Sequence, residues 1–219
     1  MFPAALDDCT AGLKWVHENK ESLNITKIIA AGESGGGNLA IANTMSNKSL
    51  VDGVYSMCPY IAGDLHCKCN RRACCDVPKG ILISTSSERC GRAVSDENPP
   101  PELRSLIEND GIFLDMDLFV SLSALYTRGN AKDKTNPLAW PYYTTEADLK
   151  DMPPLVISVN ESDPLRDEGV EFGKKCAKAG LNVVTKQVMG TYHGGDLFSG
   201  NNPIVAATMR EIKAFADSL

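Results

Sequence analysis

The pentapeptide Gly32-Glu33-Ser34-Gly35-Gly36 constrains this chain more than any other stretch. It fits glycine–any–serine–any–glycine, and its neighbours give the pattern meaning. Before it, Lys27-Ile28-Ile29-Ala30-Ala31 is a short, nearly all-apolar run, the kind of strand buried on both faces of a parallel sheet. After it, residues 38–45 are rich in Ala, Leu and Ile and read as a helix. A strand that turns into a helix over so few residues requires neighbours without a Cβ, and it leaves the serine hydroxyl standing clear at the strand's end. The helix aims its first N–H groups and the positive end of its dipole at the same spot, which favours an oxyanion there. A phosphate loop of the Walker type is excluded because no Lys-Ser/Thr pair follows, and the G-x-G-x-x-G spacing fails at Ala40. A glycine turn that only packs a helix on a sheet remains the alternative.

The rest of the chain supplies a matching frame. Residues 4–18 keep Leu6, Leu13 and Val16 at helical spacing, with Asp7 and Asp8 near the start. Further strands are expected at 53–57, at 155–159 after Pro153-Pro154, and at 182–188. Helices are expected at 116–126, at 165–179 with a stop at Gly180, and at 204–218. Strands alternating with helices give an α/β class, a parallel sheet of about four strands flanked by helices. The chain of 219 residues is sized for one domain, 1–219. Two stretches break the alternation. Residues 64–98 form an irregular insertion holding five of the eight cysteines, Cys67, Cys69, Cys74, Cys75 and Cys90. Residues 99–150 are long for a connection and are a candidate lid or substrate-pocket segment.

A reactive serine needs a base, and the chain has three histidines, His17, His66 and His193. His17 lies in a charged helical segment and reads as a solvated surface residue; His66 lies in the irregular stretch. His193, in Gly190-Thr191-Tyr192-His193-Gly194-Gly195-Asp196, follows the last strand, at the end where parallel sheets gather their sites. The base needs an orienting carboxylate in turn. Asp163 follows the third strand in Asn160-Glu161-Ser162-Asp163-Pro164-Leu165-Arg166-Asp167-Glu168. Spacing alone leaves Glu161 as a rival, while Asp167 and Glu168 fall where acids complement a helix dipole. The order Ser, Asp, His, one after each successive strand, is that of the α/β-hydrolases and not of chymotrypsin or subtilisin.

On these residues the chain resembles the hormone-sensitive-lipase-like branch of α/β-hydrolases, a family of serine esterases. The resemblance rests on three segments: Phe2-Pro3-Ala4-Ala5-Leu6-Asp7-Asp8 with Leu13-Lys14-Trp15-Val16, then Gly32-Glu33-Ser34-Gly35-Gly36-Gly37-Asn38-Leu39-Ala40, then Asp163-Pro164-Leu165-Arg166-Asp167-Glu168-Gly169. It implies a nucleophile at Ser34, a triad acid at Asp163 in preference to Glu161, a base at His193, and an oxyanion donor at the Gly35 N–H. It implies no cofactor and no metal. Members of the family carry an upstream His-Gly-Gly segment that completes the oxyanion hole. Its absence here makes the expectation an N-terminally truncated, C-terminal part of the fold, with the first four or so strands missing. The strand at 27–31 would then keep an unpaired apolar edge, open to a homo-oligomeric contact. Residues 64–98 have no counterpart in the family. A zinc insert built on Cys67, Cys69, Cys74, Cys75 and His66 lacks the usual finger or ribbon spacing, so a surface insertion or a wrongly retained segment is the expected reading.

The expected function is cleavage of a small-molecule carboxylic ester through an acyl-enzyme. The alternatives are a truncated inactive fragment and a non-catalytic small-molecule-binding protein on the same fold. The formal net charge of −6 with only short basic clusters argues against nucleic acid. No apolar run approaches a membrane span and no secretory signal is visible, so a cytoplasmic location is the default expectation. Phe113, Leu114, Met116, Leu118, Phe119 and Trp140 are candidates for the wall of an acyl or alcohol pocket, with ordinary helix-face packing as the alternative.

Overall fold

The computed structural model describes residues 1–63, 100–198 and 202–219; the cysteine-rich stretch 64–98 and His66 therefore lie outside the described residues. The described chain runs α1 (Ala4–Glu18), β1 (Ile29–Glu33), α2 (Gly35–Ser46), β2 (Gly53–Met57), α3 (Ser105–Glu108), α4 (Met116–Thr127), α5 (Glu146–Leu149), β3 (Leu155–Ser162), α6 (Arg166–Lys178), β4 (Val183–Tyr192), α7 (Gly195–Phe198) and α8 (Pro203–Ser218). The four strands form one sheet in the order β1-β2-β3-β4, all parallel. The α/β architecture expected from the alternating pattern is thus present.

The first strand sits two residues later than its apolar run suggests. The Ile28 N–H goes to the Asp52 side chain, at 2.8 Å from Oδ2, instead of to a neighbouring strand, and the Lys27 side chain reaches the Leu219 carbonyl at 2.7 Å. Pairing then runs from Ile29 with Gly53 to Glu33 with Met57, so Gly32 and Glu33 still belong to the sheet and the turn starts abruptly at Ser34.

Both faces of the central strands are covered. Val54, Leu155, Ile157 and Val159 meet Ile41 of α2 and Phe172 and Cys176 of α6 on one side. Tyr55 and Val156 meet Ile212 and Phe215 of α8 on the other, with the Tyr55 and Phe215 rings edge to face at 5.8 Å between centroids. Covering on both faces explains why β2 is buried at every position. At the edge, β4 leaves Val184 and Met189 exposed.

The segment between β2 and β3 builds a second apolar cluster over the carboxyl ends of the strands. Leu103, Leu106, Met116, Phe119, Ala139 and Trp140 pack there with Tyr60 and Leu165. Helix α4 starts where Asp115 accepts the Asp117 N–H at 2.9 Å and ends on left-handed Arg128 and Gly129. None of the described helices is long and apolar enough to cross a membrane.

Candidate active site

Ser34 occupies the one-residue joint between β1 and α2, with φ 54° and ψ −117°. A non-glycine residue held at such an angle stores about 1–3 kcal/mol, and it persists only where its surroundings leave no other choice. Three backbone bonds do this: the Ser34 N–H to the Met57 carbonyl at 2.9 Å, and the N–H groups of Asn38 and Tyr60 to the Ser34 carbonyl, each at 3.1 Å. Gly32 is obligatory, because a Cβ there would lie 2.2 Å from the Gly36 carbonyl oxygen. Gly35, the expected oxyanion donor, opens α2 immediately beyond the serine. Buried Asn38 ties this turn to its surroundings by donating to the Tyr60 and Ala139 carbonyls at 2.8 and 2.9 Å.

Asp163 follows the last residue of β3 and His193 the last residue of β4. Parallel neighbours bring these two ends together, and His193 Nδ1 lies 2.8 Å from Asp163 Oδ2. The Asp163 carboxylate is fully buried, and its other oxygen accepts the Leu165 N–H at 2.9 Å. A carboxylate at Nδ1 favours a hydrogen on that nitrogen and fixes the plane of the ring, leaving Nε2 as the edge turned away from Asp163. That edge faces Glu33 Oε1 at 3.3 Å. Glu33 is the residue before Ser34, so the histidine loop lies against the serine turn.

The other acids of the segment have different partners. Glu161 accepts the Gly190 N–H at 2.7 Å, Asp167 the Ser105 N–H at 2.7 Å, and the buried Glu168 the Ile61 N–H at 2.7 Å. Glu168 is thus a structural tie between α6 and the β2 end, which the helix-dipole expectation had missed. His17 is exposed on α1, far in sequence from these loops.

A network that the sequence did not reveal holds the histidine loop. Buried Asn160 donates to Thr191 Oγ1 and to Asp196 Oδ1, each at 2.8 Å, and accepts the Gly194 N–H at 3.2 Å. Asp196 in turn accepts from Thr208 of α8 at 2.9 Å. Cys58, just past β2 and also buried, has its thiol pushed up by burial and then by the nearby Asp163 and Glu33 charges.

A cavity of about 290 Å³ opens beside Ser34, walled by Tyr60, Phe119, Leu122, Tyr126 and Trp140. Of the expected pocket residues, Phe119 and Trp140 line it, and Met116 is buried in the cluster behind. Leu118 is exposed, and Phe113 projects outward onto the Tyr192 ring. A second hollow, between α6 and β4, is lined by Lys174, Thr185 and Lys186 among others and contains none of the three expected site residues.

A parallel sheet with a strained serine between β1 and a helix, and an Asp–His pair at the ends of β3 and β4, has the layout of the α/β-hydrolase fold. A family model described as alpha/beta hydrolase fold, Abhydrolase_3, matches residues 1–196, and the chain belongs to this family, the hormone-sensitive-lipase-like esterases. It is 26% identical over 197 residues to an arylesterase of Saccharolobus solfataricus, covering 88% of this chain and 52% of that protein. It is 27% identical over 227 residues to the carboxylesterase NlhH of Mycobacterium tuberculosis, covering 100% of this chain and 60% of that one. Among solved structures, brefeldin A esterase, a bacterial homologue of human hormone sensitive lipase, superposes with a TM-score of 0.78 at 37% identity, covering 98% of this chain and 54% of that one. Esterase Est22 does so with 0.74 at 35%, covering 99% and 56%. The chain therefore spans about half to three fifths of the length of these relatives.

Proposed function

We propose that this chain carries the reacting residues of a carboxylic ester hydrolase. The observation that supports this most is the 2.8 Å contact between His193 Nδ1 and the fully buried Asp163, set beside a serine held at positive φ. In this reading Ser34 Oγ attacks the ester carbonyl while His193 Nε2 takes its proton. Asp163 keeps the ring in that tautomer and stabilises the imidazolium. The Gly35 N–H holds the developing oxyanion. The proton on His193 passes to the departing alcohol, and water repeats the sequence on the acyl-enzyme to release the acid. For the first step the Ser34 hydroxyl has to reach Nε2, which lies 3.3 Å from Glu33 Oε1 in this structure. The names of the relatives, arylesterase and carboxylesterase, support an ester substrate. A cavity of about 290 Å³ with aromatic walls suits a small ester with an apolar acyl or alcohol group, being at the lower end of ligand-pocket sizes.

The test is mass spectrometry of the purified chain after exposure to a fluorophosphonate, with Ser34→Ala as the blank. A single adduct on Ser34 is expected. No adduct on a folded chain would favour the binding-protein reading, and no adduct on a chain that does not fold would favour the inactive-fragment reading.

A further inference from the structure

Ester hydrolysis gives Glu33 and Cys58 no task, yet both lie against the histidine. Cys58 Sγ is 3.8 Å from Glu33 Oε1, and His193 Nε2 is 3.3 Å from the same oxygen. The ligand-capable atoms of Glu33, Cys58 and His193 all lie within 4.8 Å of one another. Among the described residues no other group of three such side chains meets this condition.

The spacing has a physical reading. Around a tetrahedral ion with bonds of about 2.0–2.3 Å, neighbouring ligand atoms stand about 3.3–3.8 Å apart. The two shorter separations here already fall at those values. His193 Nε2 and a Glu33 carboxylate oxygen also face each other at 3.3 Å, an arrangement that a proton or a metal cation between them would bridge. On the far side of the ring, Asp163 holds Nδ1 at 2.8 Å, as a carboxylate does behind a metal-bound imidazole, where it fixes the ring and raises its basicity.

We propose that Glu33, Cys58 and His193 form a binding site for a borderline-soft divalent cation, zinc or cadmium, which ties up His193 through Nε2. The donor set of one imidazole nitrogen, one thiolate and one carboxylate selects such ions over calcium or magnesium, which take oxygen ligands. Binding replaces the Cys58 S–H bond with a sulfur–metal bond, and the proton leaves to the buffer. The Glu33 carboxylate and the Cys58 thiolate together offset the two positive charges. The ion enters past Glu33, whose side chain is 29% exposed, since the His193 side chain is only 5% exposed and Cys58 is buried. Burial holds the thiol protonated in the free site, which weakens capture, but a coordinating ion strips such a proton outright. The binding claim stands on these three residues alone. Its consequence, reversible inhibition of hydrolysis, rests on His193 being the base.

The experiment is titration of the full chain with cadmium, reading the ultraviolet charge-transfer band of the cadmium–thiolate bond and the imidazole nitrogens by proton–nitrogen NMR. The chain has three histidines, His17, His66 and His193, and the His193 signals are assigned as those missing from a His193→Gln variant. The wild type is expected to bind with the His193 Nε2 signal displaced. Cys58→Ser is expected to lose that displacement and part of the band, with capture weakened by at least about tenfold, the scale of losses at metal sites. Should Cys58→Ser fail to fold, Glu33→Gln is the second variant, expected to weaken capture and the displacement of the His193 Nε2 signal while Cys58 keeps its share of the band. A thiolate band with the His193 signals unmoved would place the ion on other cysteines and overturn the proposal, as would equal binding by the variants. Neither readout requires turnover, so a chain that takes no fluorophosphonate still decides the matter.

Discussion

The two oxygens of Asp163 are both committed, one to His193 Nδ1 at 2.8 Å and the other to the Leu165 N–H at 2.9 Å, inside a site with no solvent contact for the carboxylate. Such a group cannot turn away from the ring. Asp163→Asn would keep an oxygen for Leu165 but present an amide N–H to His193. The ring would then accept at Nδ1 and carry its hydrogen on Nε2, where it cannot take the serine proton. In an active enzyme kcat on a chromogenic short-chain ester should fall by about 10⁴, with the circular dichroism spectrum unchanged. A fall of less than tenfold would deny Asp163 the orienting role.

The glycines around Ser34 are not equivalent. A Cβ on Gly32 would sit 2.2 Å from one backbone atom and 2.3 Å from another, neither of which can swing aside, whereas a Cβ on Gly36 meets nothing within 4 Å. Gly32→Ala should cost about 3 kcal/mol or more, the upper range for overpacking. Gly36→Ala, inside α2, should be neutral or stabilise by up to about 1 kcal/mol through helix propensity. Urea midpoints for the two variants check the contrast. A tolerated Gly32→Ala would mean that the turn is looser than its geometry implies.

Much of this arrangement is legible in the sequence, because strong local rules act at Ser34 and in the strands. Positions 53–57 and 155–159 are mostly apolar, broken only by the buried Ser56 and Ser158, since both faces of the sheet are covered, and Gly32 is dictated by a contact four residues away. His193 stands out in the sequence as the histidine that follows a core strand, whereas Asp163 is preferred over Glu161 only through the resemblance to the family's acid segment. What stays hidden is carried by contacts across the sheet. Nothing near Asn160 in the sequence says that its amide reaches Thr191, Asp196 and Gly194, or that Glu168 serves Ile61. Glu33 looks like the arbitrary residue of a motif until the His193 loop is folded against it. The start of β1 depends on another such contact, as the Ile28 N–H is claimed by the Asp52 side chain.

Alkaline instability should follow from Cys176, wholly buried on α6. Burial pushes its thiol up to about 12, with nearby Lys175 opposing. In the unfolded chain a thiol ionises near pH 8.5. Between about pH 8.5 and 12 the unfolded state therefore holds fewer protons than the native one, and the linkage slope is negative: stability is intact below the lower value and is lost as pH rises toward the upper. The slope approaches about 1.4 kcal/mol per pH unit for one such group. Cys58, raised in the same direction by burial, adds to it. Denaturant unfolding at pH 8 and pH 10 should show the loss in the wild type and a shallower one in Cys176→Ala, measured from that variant's own lower starting point. Equal slopes in the two would refute the assignment.

The wall of the cavity beside Ser34 offers a test of substrate size that leaves the reacting residues in place. Leu122 faces the cavity from α4, yet the residue is 41% exposed. Enlarging it should therefore fill the pocket at little cost to the fold, within about 0.5 kcal/mol. Leu122→Trp should lower kcat/KM for a long-chain or bulky ester relative to an acetate by about tenfold or more, the scale at which hydrophobic pockets discriminate. Labelling of Ser34 by a small fluorophosphonate should continue at a similar rate, since that probe needs little of the cavity. If acetate and bulky esters lose equally, the acyl or alcohol group lies elsewhere and the aromatic wall serves packing alone. If the bulky ester alone is lost, residues 116–127 set which esters reach the serine.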